Sequence, residues 1–199
     1  MSRAVADVTA LLGSRICHDL ISPLGAISNG VELLAMSGAG SMPEIDLIAQ
    51  SIENANARIG FFRVAFGAAT PDQTLGASEV QHILRELTRG GRMEVEWTPA
   101  DDAPRAEVKL VFLALNCLES AMPRGGFVSV TRDDARWRLT ATADRMRIEP
   151  NLWEALSRPA AGSAATAAEV QFLLAPLVAA ELGRTLTAEL SETGATVRF

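Results

Sequence analysis

Two apolar stripes fill the first third of the chain and limit what it can become. Val5, Val8, Leu12, Ile16, Leu20, Leu24, Ile27, Val31 and Leu34 step by three or four residues, the spacing that lines up side chains on one face of an α-helix. SGAGSMP, residues 37–43, interrupts the stripe with turn-forming residues. Ser41 and Glu44 then stand at the S-x-x-E spacing of a capping box, and Pro43 falls in the first helical turn, where its missing N–H costs little. Beyond it Ile45, Ile48, Ile52, Ala55, Ile59, Phe62 and Phe66 alternate steps of three and four, which is a heptad seam.

The stripes predict an antiparallel helical hairpin within a first domain of residues 1–70. A lone hairpin leaves much of both stripes in water. Joining two hairpins about a two-fold axis into a four-helix bundle covers them, so a homodimer is expected; cover by the chain's own second half is the alternative. GAATPDQTLGAS at 67–78 ends the pattern.

A second domain, residues 75–199, has a different rhythm. Glu79 to Leu87 is helical by pattern, MEVEW at 93–97 alternates like a strand, and Val108 to Met122 has the apolar content of a buried helix. FVSVT and WRLTATA alternate again. After a loop rich in Ala, Gly and Ser, residues 168–182 make another apolar helix, followed by RTLTAEL and ATVRF as strands around an ETG turn. The expected class is α plus α/β: a helical hairpin, then an α/β sandwich with helices on one face of a sheet.

Bulk properties narrow the function. A net charge of -6 without a basic cluster argues against a nucleic-acid binder. FLLAPLVAA at 172–180 is too short to cross a bilayer and contains Pro176, and no secretory leader pattern opens the sequence. A soluble cytoplasmic protein without a membrane partner is expected. Cys17 and Cys117 have no companions at zinc-ligand spacing, so no metal site is assigned and both are read as buried thiols.

Chemistry concentrates in SRICHDLISPLGAISNG, residues 14–30. With Ile16, Leu20, Leu24 and Ile27 facing inward, His18 shares its face with Ser14, Ser22, Gly25 and Asn29, all small or polar. A neutral imidazole is a competent nucleophile near pH 7, and such a face gives it the clearance to meet a phosphoryl group held by another protein. Asp19 is placed to hold the ring's tautomer or take its proton, Ser22 to hydrogen-bond phosphoryl oxygens, and Arg15 to contact an acidic partner. Pro23 removes the N–H that would bond the Asp19 carbonyl, bending the helix just past the histidine.

His18-Asp19-Leu20-Ile21-Ser22-Pro23-Leu24 resembles the H-box, H-[ED]-L-x-[TSN]-P-L, of sensor histidine kinases. The longer run from Arg15 to Gly30 is more similar to the ChpT type of histidine phosphotransferase from alphaproteobacteria. That resemblance implies a dimerisation and phosphotransfer hairpin followed by a kinase-ATPase-like sandwich. Where a working kinase carries N-x-x-x-N, this chain has Asn116 and Ser120, and serine is a poorer magnesium ligand than an amide oxygen. Where D-x-G-x-G belongs it has Ala143-Asp144-Arg145-Met146-Arg147, with arginines for both glycines and the acid shifted by one. In place of the glycine-rich phosphate loop it has SAATAAEVQ, with Glu169 and no glycine.

The resemblance therefore implies a relay without ATP and with no cofactor of its own. A phospho-aspartate in the receiver domain of a hybrid histidine kinase would phosphorylate His18, which would pass the group to the aspartate of a response regulator, CtrA-like or related. Mg2+ would come with the receiver. His18, Asp19 and Ser22 are the expected catalytic set; Ser14, Arg15, Gly25 and Asn29 the expected partner contacts. The rivals are an ATP-dependent histidine kinase and a non-enzymatic dimeric adaptor for response regulators. His82 reads as a surface residue, Trp97, Trp137 and Trp153 as core, and Arg145 and Arg147 as a solvated face or a partner-binding edge.

Overall fold

The computed structural model describes residues 13, 20, 21, 24, 25, 27–34, 36, 43–157 and 166–199. The chain divides into two compact units, Met1–Ala68 and Ala69–Phe199.

In the first unit residues 27–34 are helical, as are the described residues just before them, and α1 runs Pro43–Ala65. Pro43 is the first residue of α1, where a proline forfeits no intrahelical bond. On the expected seam of α1, Ile52 and Ile59 are buried, Ile45, Ala55, Phe62 and Phe66 half-buried, and Ile48 exposed. Phe62 and Phe66 meet edge to face with centroids 5.3 Å apart. Gly13 lies against Phe66 so closely that a Cβ there would stand 3.0 Å from the Phe66 carbonyl oxygen. On the preceding helical stretch Leu24 and Val31 are half-buried, while Leu20, Ile27 and Leu34 are 45%, 50% and 52% exposed.

The second unit is a five-stranded sheet in the order β2-β4-β5-β7-β6, formed by β2 (Met93–Trp97), β4 (Gly126–Asp133), β5 (Arg136–Thr142), β6 (Thr187–Leu190) and β7 (Gly194–Arg198). Only β2–β4 is parallel among these pairs, and the crossover it needs contains α3, Arg105–Ala121. The other helices are α2 (Ala77–Thr88), α4 (Pro150–Ser157) and α5 (Val170–Glu181). Two-residue strands β1 (Thr74–Leu75) and β3 (Ala103–Pro104) pair separately.

Alternation explains the layers. Val128 and Val130, then Trp137, Leu139 and Ala141, then Ala195 and Val197 are buried, while the intervening Glu94, Phe127, Arg138 and Thr140 are exposed. One face of the sheet is therefore covered and one is open. Helix α3 is apolar nearly all round, with Val108 and every residue from Leu110 to Leu118 buried, because it packs against β5 and against α5. All three tryptophans are in the core, and His82 is exposed on α2, both as the sequence suggested. Gly125, at φ 91°, passes so near Arg92 that a Cβ would come 2.1 Å from its carbonyl oxygen.

Some elements differ from the sequence reading. Helix α3 starts at Arg105, three residues before the first apolar position that revealed it. The linker hides β1, whose Leu75 is buried. Helix α4 lacks a sequence signal long enough to distinguish it from loop, and α5 is preceded by a 3₁₀ turn at Ala167–Glu169.

Candidate functional site

Of the residues assigned to phosphotransfer chemistry, Ser14, Arg15, His18, Asp19 and Ser22 lie outside the described residues, as do Cys17, Pro23 and Ser41. Gly25 and Asn29 are described, and both are helical. Four residues apart, they share a face. Asn29 is exposed, and among the described residues a Cβ at Gly25 would meet nothing within 4 Å beyond its own helix backbone. The structure thus gives Gly25 no internal packing reason to be glycine, although glycine costs a helix interior roughly 1 kcal/mol relative to alanine.

In the second unit each of the three degenerate nucleotide motifs contributes to one cleft, through Ser120, Arg147 and Glu169, while Asp144 lines a separate depression. Asn116 is nine-tenths buried, and its Nδ2 meets no hydrogen-bond acceptor among the described residues. One turn on, Ser120 turns its hydroxyl back to the Cys117 carbonyl at 2.7 Å, the local bond that helical serines favour. The Cys117 thiol is buried, which pushes its pKa well above the ordinary value and keeps it protonated.

Across from Ser120 the cleft is bounded by Arg147, Glu149, Glu169 and the aromatic pair Trp153 and Phe172, whose rings meet edge to face at 5.4 Å. Its volume is about 190 Å³, below the roughly 300–1,000 Å³ of ordinary small-molecule pockets. The Arg147 guanidinium is engaged by Glu149 at 3.2 Å, and the Arg147 N–H donates to the Ala121 carbonyl at 2.8 Å. Glu169 closes a capping box: the Thr166 N–H and hydroxyl each donate to its carboxylate at 2.9 Å, holding its pKa below the usual carboxylate range. The cleft presents two acids and one arginine already in an ion pair, a poor electrostatic match for a triphosphate.

Arg145 and Arg147, both exposed, border a second groove of about 420 Å³ together with Arg124. The sequence suggested the first two as a solvated face or a partner-binding edge; Arg124 joins them only through the fold, because it is more than twenty positions away. Glu149 and the Trp153–Phe172 wall were likewise invisible in sequence. Among the described residues, no group of three or more His, Cys, Asp or Glu could hold a metal ion. None of the described helices is long and apolar enough to cross a membrane.

Residues 77–194, more than half of the chain, match the family described as the histidine phosphotransferase C-terminal domain. The chain belongs to the histidine phosphotransferase family, and its likeness within that family is to the ChpT type. It is 38% identical over 183 residues to protein phosphotransferase ChpT of Brucella abortus (strain 2308), covering 89% of this chain and 87% of the relative. A solved bacterial phosphotransferase structure aligns over 100% of this chain and 97% of its own, with a TM-score of 0.70 and 32% identity.

Proposed function

We propose that this chain is a phosphorelay intermediate that accepts a phosphoryl group on His18 from the phospho-aspartate of one receiver domain and delivers it to the aspartate of another. The ring nitrogen forms a P–N bond as the P–O bond to the donor aspartate breaks. The second transfer reverses this, with the acceptor carboxylate as nucleophile. Asp19 would hold the proton on the other ring nitrogen, and Ser22 would bond the phosphoryl oxygens. Such a transfer needs in-line placement and charge neutralisation more than covalent machinery; the receiver brings the Mg2+.

The observation that carries this reading over an ATP-dependent kinase is the cleft of the second unit. A volume of about 190 Å³ walled by Glu149, Glu169, Trp153 and Phe172 favours a fold that keeps its framework without holding a nucleotide. The phosphoryl group would then have to come from another protein. The groove bordered by Arg124 and Arg145, beside the Arg147–Glu149 pair, offers cationic contacts for the acidic rim of a receiver. The exposed apolar residues Leu20, Ile27, Leu34 and Ile48 support a hairpin that pairs with a second copy in a four-helix bundle, with the histidine faces outward.

The test is transfer from a purified phosphorylated receiver. Wild type should take up acid-labile, alkali-stable label and pass it to a second receiver, His18→Ala should take up none, and ATP with Mg2+ should not raise the melting temperature. Equal labelling of His18→Ala would end the transfer reading; a clear nucleotide-dependent stabilisation would restore the kinase.

A further inference from the structure

The open face of the sheet in the second unit is not uniform. At one end of it Glu94, Phe127 and Thr142 stand in a single row, because Phe127 is in register with Glu94 on one side and with Thr142 on the other. Phe127 is 40% exposed, more than any other large apolar side chain described in this unit. Loop residues rise around the row: Arg92 and Arg124 come just before β2 and β4, and Asp144 just after β5. Together they line a depression of about 610 Å³, within the ordinary size range of small-molecule sites.

The backbone braces its rims. The Gly126 N–H donates to the Arg92 carbonyl at 3.1 Å, and the Ala143 N–H to the Thr193 carbonyl at 2.9 Å. A Cβ at Gly126 would stand 2.4 Å from the Thr142 carbonyl oxygen, so the strands meet there with no side chain between them. A site held in this way loses little freedom when a ligand enters.

The charge in the depression is balanced, with the guanidinium groups of Arg92 and Arg124 set against the carboxylates of Glu94 and Asp144. Among the described residues none of these four is in an ion pair, whereas Arg89, Arg147 and Arg198 each pair with a glutamate. Arg92 directs one N–H to the Pro123 carbonyl at 3.3 Å, which engages one of its five donors. A simple anion would meet two carboxylates here, and a simple cation two guanidinium groups. A ligand that carries both charges finds a partner for each, through charge-assisted hydrogen bonds. The Phe127 ring adds a platform on which a second aromatic group gains more than its buried area alone supplies.

We propose that this depression binds a free amino acid with an aromatic side chain, its ring against Phe127, its α-carboxylate held by Arg92 and Arg124, and its α-ammonium by Glu94 and Asp144. The site goes beyond the relay and takes part in none of its steps.

The probe is L-tryptophan, titrated calorimetrically into the full chain. Tryptamine, indole-3-propionate and N-acetyl-L-tryptophan amide serve as controls that lack the carboxylate, the ammonium and both charges. Wild type should bind L-tryptophan with a Kd near or below about 1 mM, and at least about tenfold more tightly than any control, since each control forfeits a charge-assisted bond. Phe127→Ala should weaken L-tryptophan binding about tenfold. R92A/R124A should erase the preference for L-tryptophan over tryptamine, and E94Q/D144N the preference over indole-3-propionate. Circular dichroism should be unchanged in all three variants. No binding to wild type, equal affinity for L-tryptophan and its N-acetyl amide, or an affinity that survives Phe127→Ala would overturn the proposal. Tighter binding of indole-3-propionate than of L-tryptophan would also overturn it, assigning the depression to anions.

Discussion

Gly25 shows how a single residue can be read by what it forgoes. It stands in a helix, where glycine is a liability, and among the described residues no atom beyond its own helix backbone lies within 4 Å of the Cβ it lacks. Gly25→Ala should therefore stabilise the protein, by up to about 1 kcal/mol, and raise its melting temperature. If the empty space serves an incoming receiver, Gly25→Leu should retain most of that gain while slowing phosphoryl transfer about tenfold or more, since small misplacements of reacting groups are costly. Stopped-flow or quenched transfer assays against thermal melts would separate the two effects. Transfer at the wild-type rate in Gly25→Leu would remove Gly25 from the partner surface. Gly125 is the opposite case: its glycine is demanded from within, by the Arg92 carbonyl.

Among the elements, the start of α3 is fixed by charge as well as by apolar packing. Glu107 is buried on the first turn, accepting from Trp137 Nε1 at 2.7 Å and from Arg184 at 2.7 Å, with Arg132 at 3.4 Å. Arg184 also donates to the Ala135 carbonyl, and the Arg132 guanidinium lies over the Trp137 ring at 5.2 Å. One carboxylate thereby ties α3 to the β4–β5 hairpin and to the segment following α5. Glu107→Ala would leave cations and an indole N–H without their acceptor, and breaking a buried pair from one side costs about 3–5 kcal/mol. Urea denaturation should report a loss of that order, and a loss under 1 kcal/mol would mean that water reaches the pair. The sequence gives no hint of this network, because its members are spread over 77 positions. Strand β5 was legible because its buried and exposed residues alternate over its whole length, and β4 and β7 because buried residues recur at every second position of their centres. Helix α4 and the β1–β3 pair were not: eight residues and two residues are too short for periodicity to stand out.

For the molecule as a whole, the stripes that open the sequence were its most readable feature, and they gave the helical stretch at 27–34 and α1 their positions. They did not reveal that Leu33, Met36 and Leu47, each off the stripes, are exposed, since apolar residues between stripe positions look like ordinary scatter until exposure is known. The dimer proposed for the stripes has its own test: Ile27→Glu with Ile48→Glu should convert a dimer to a monomer in sedimentation equilibrium, and an unchanged mass would put the self-contact elsewhere. In the second unit the loss of the glycine motifs was legible, whereas the small acidic cleft that accompanies it required the fold. The strand order β2-β4-β5-β7-β6 also has a consequence in time. On a ribosome β5 can join β4 as soon as both have emerged, but its other edge stays open until residues 194–198 follow. At about 5–20 residues per second, that is an interval of roughly 3–10 s in which the centre of the future sheet is a bare edge, and the chain's passage through it is a matter for whatever shelters nascent proteins.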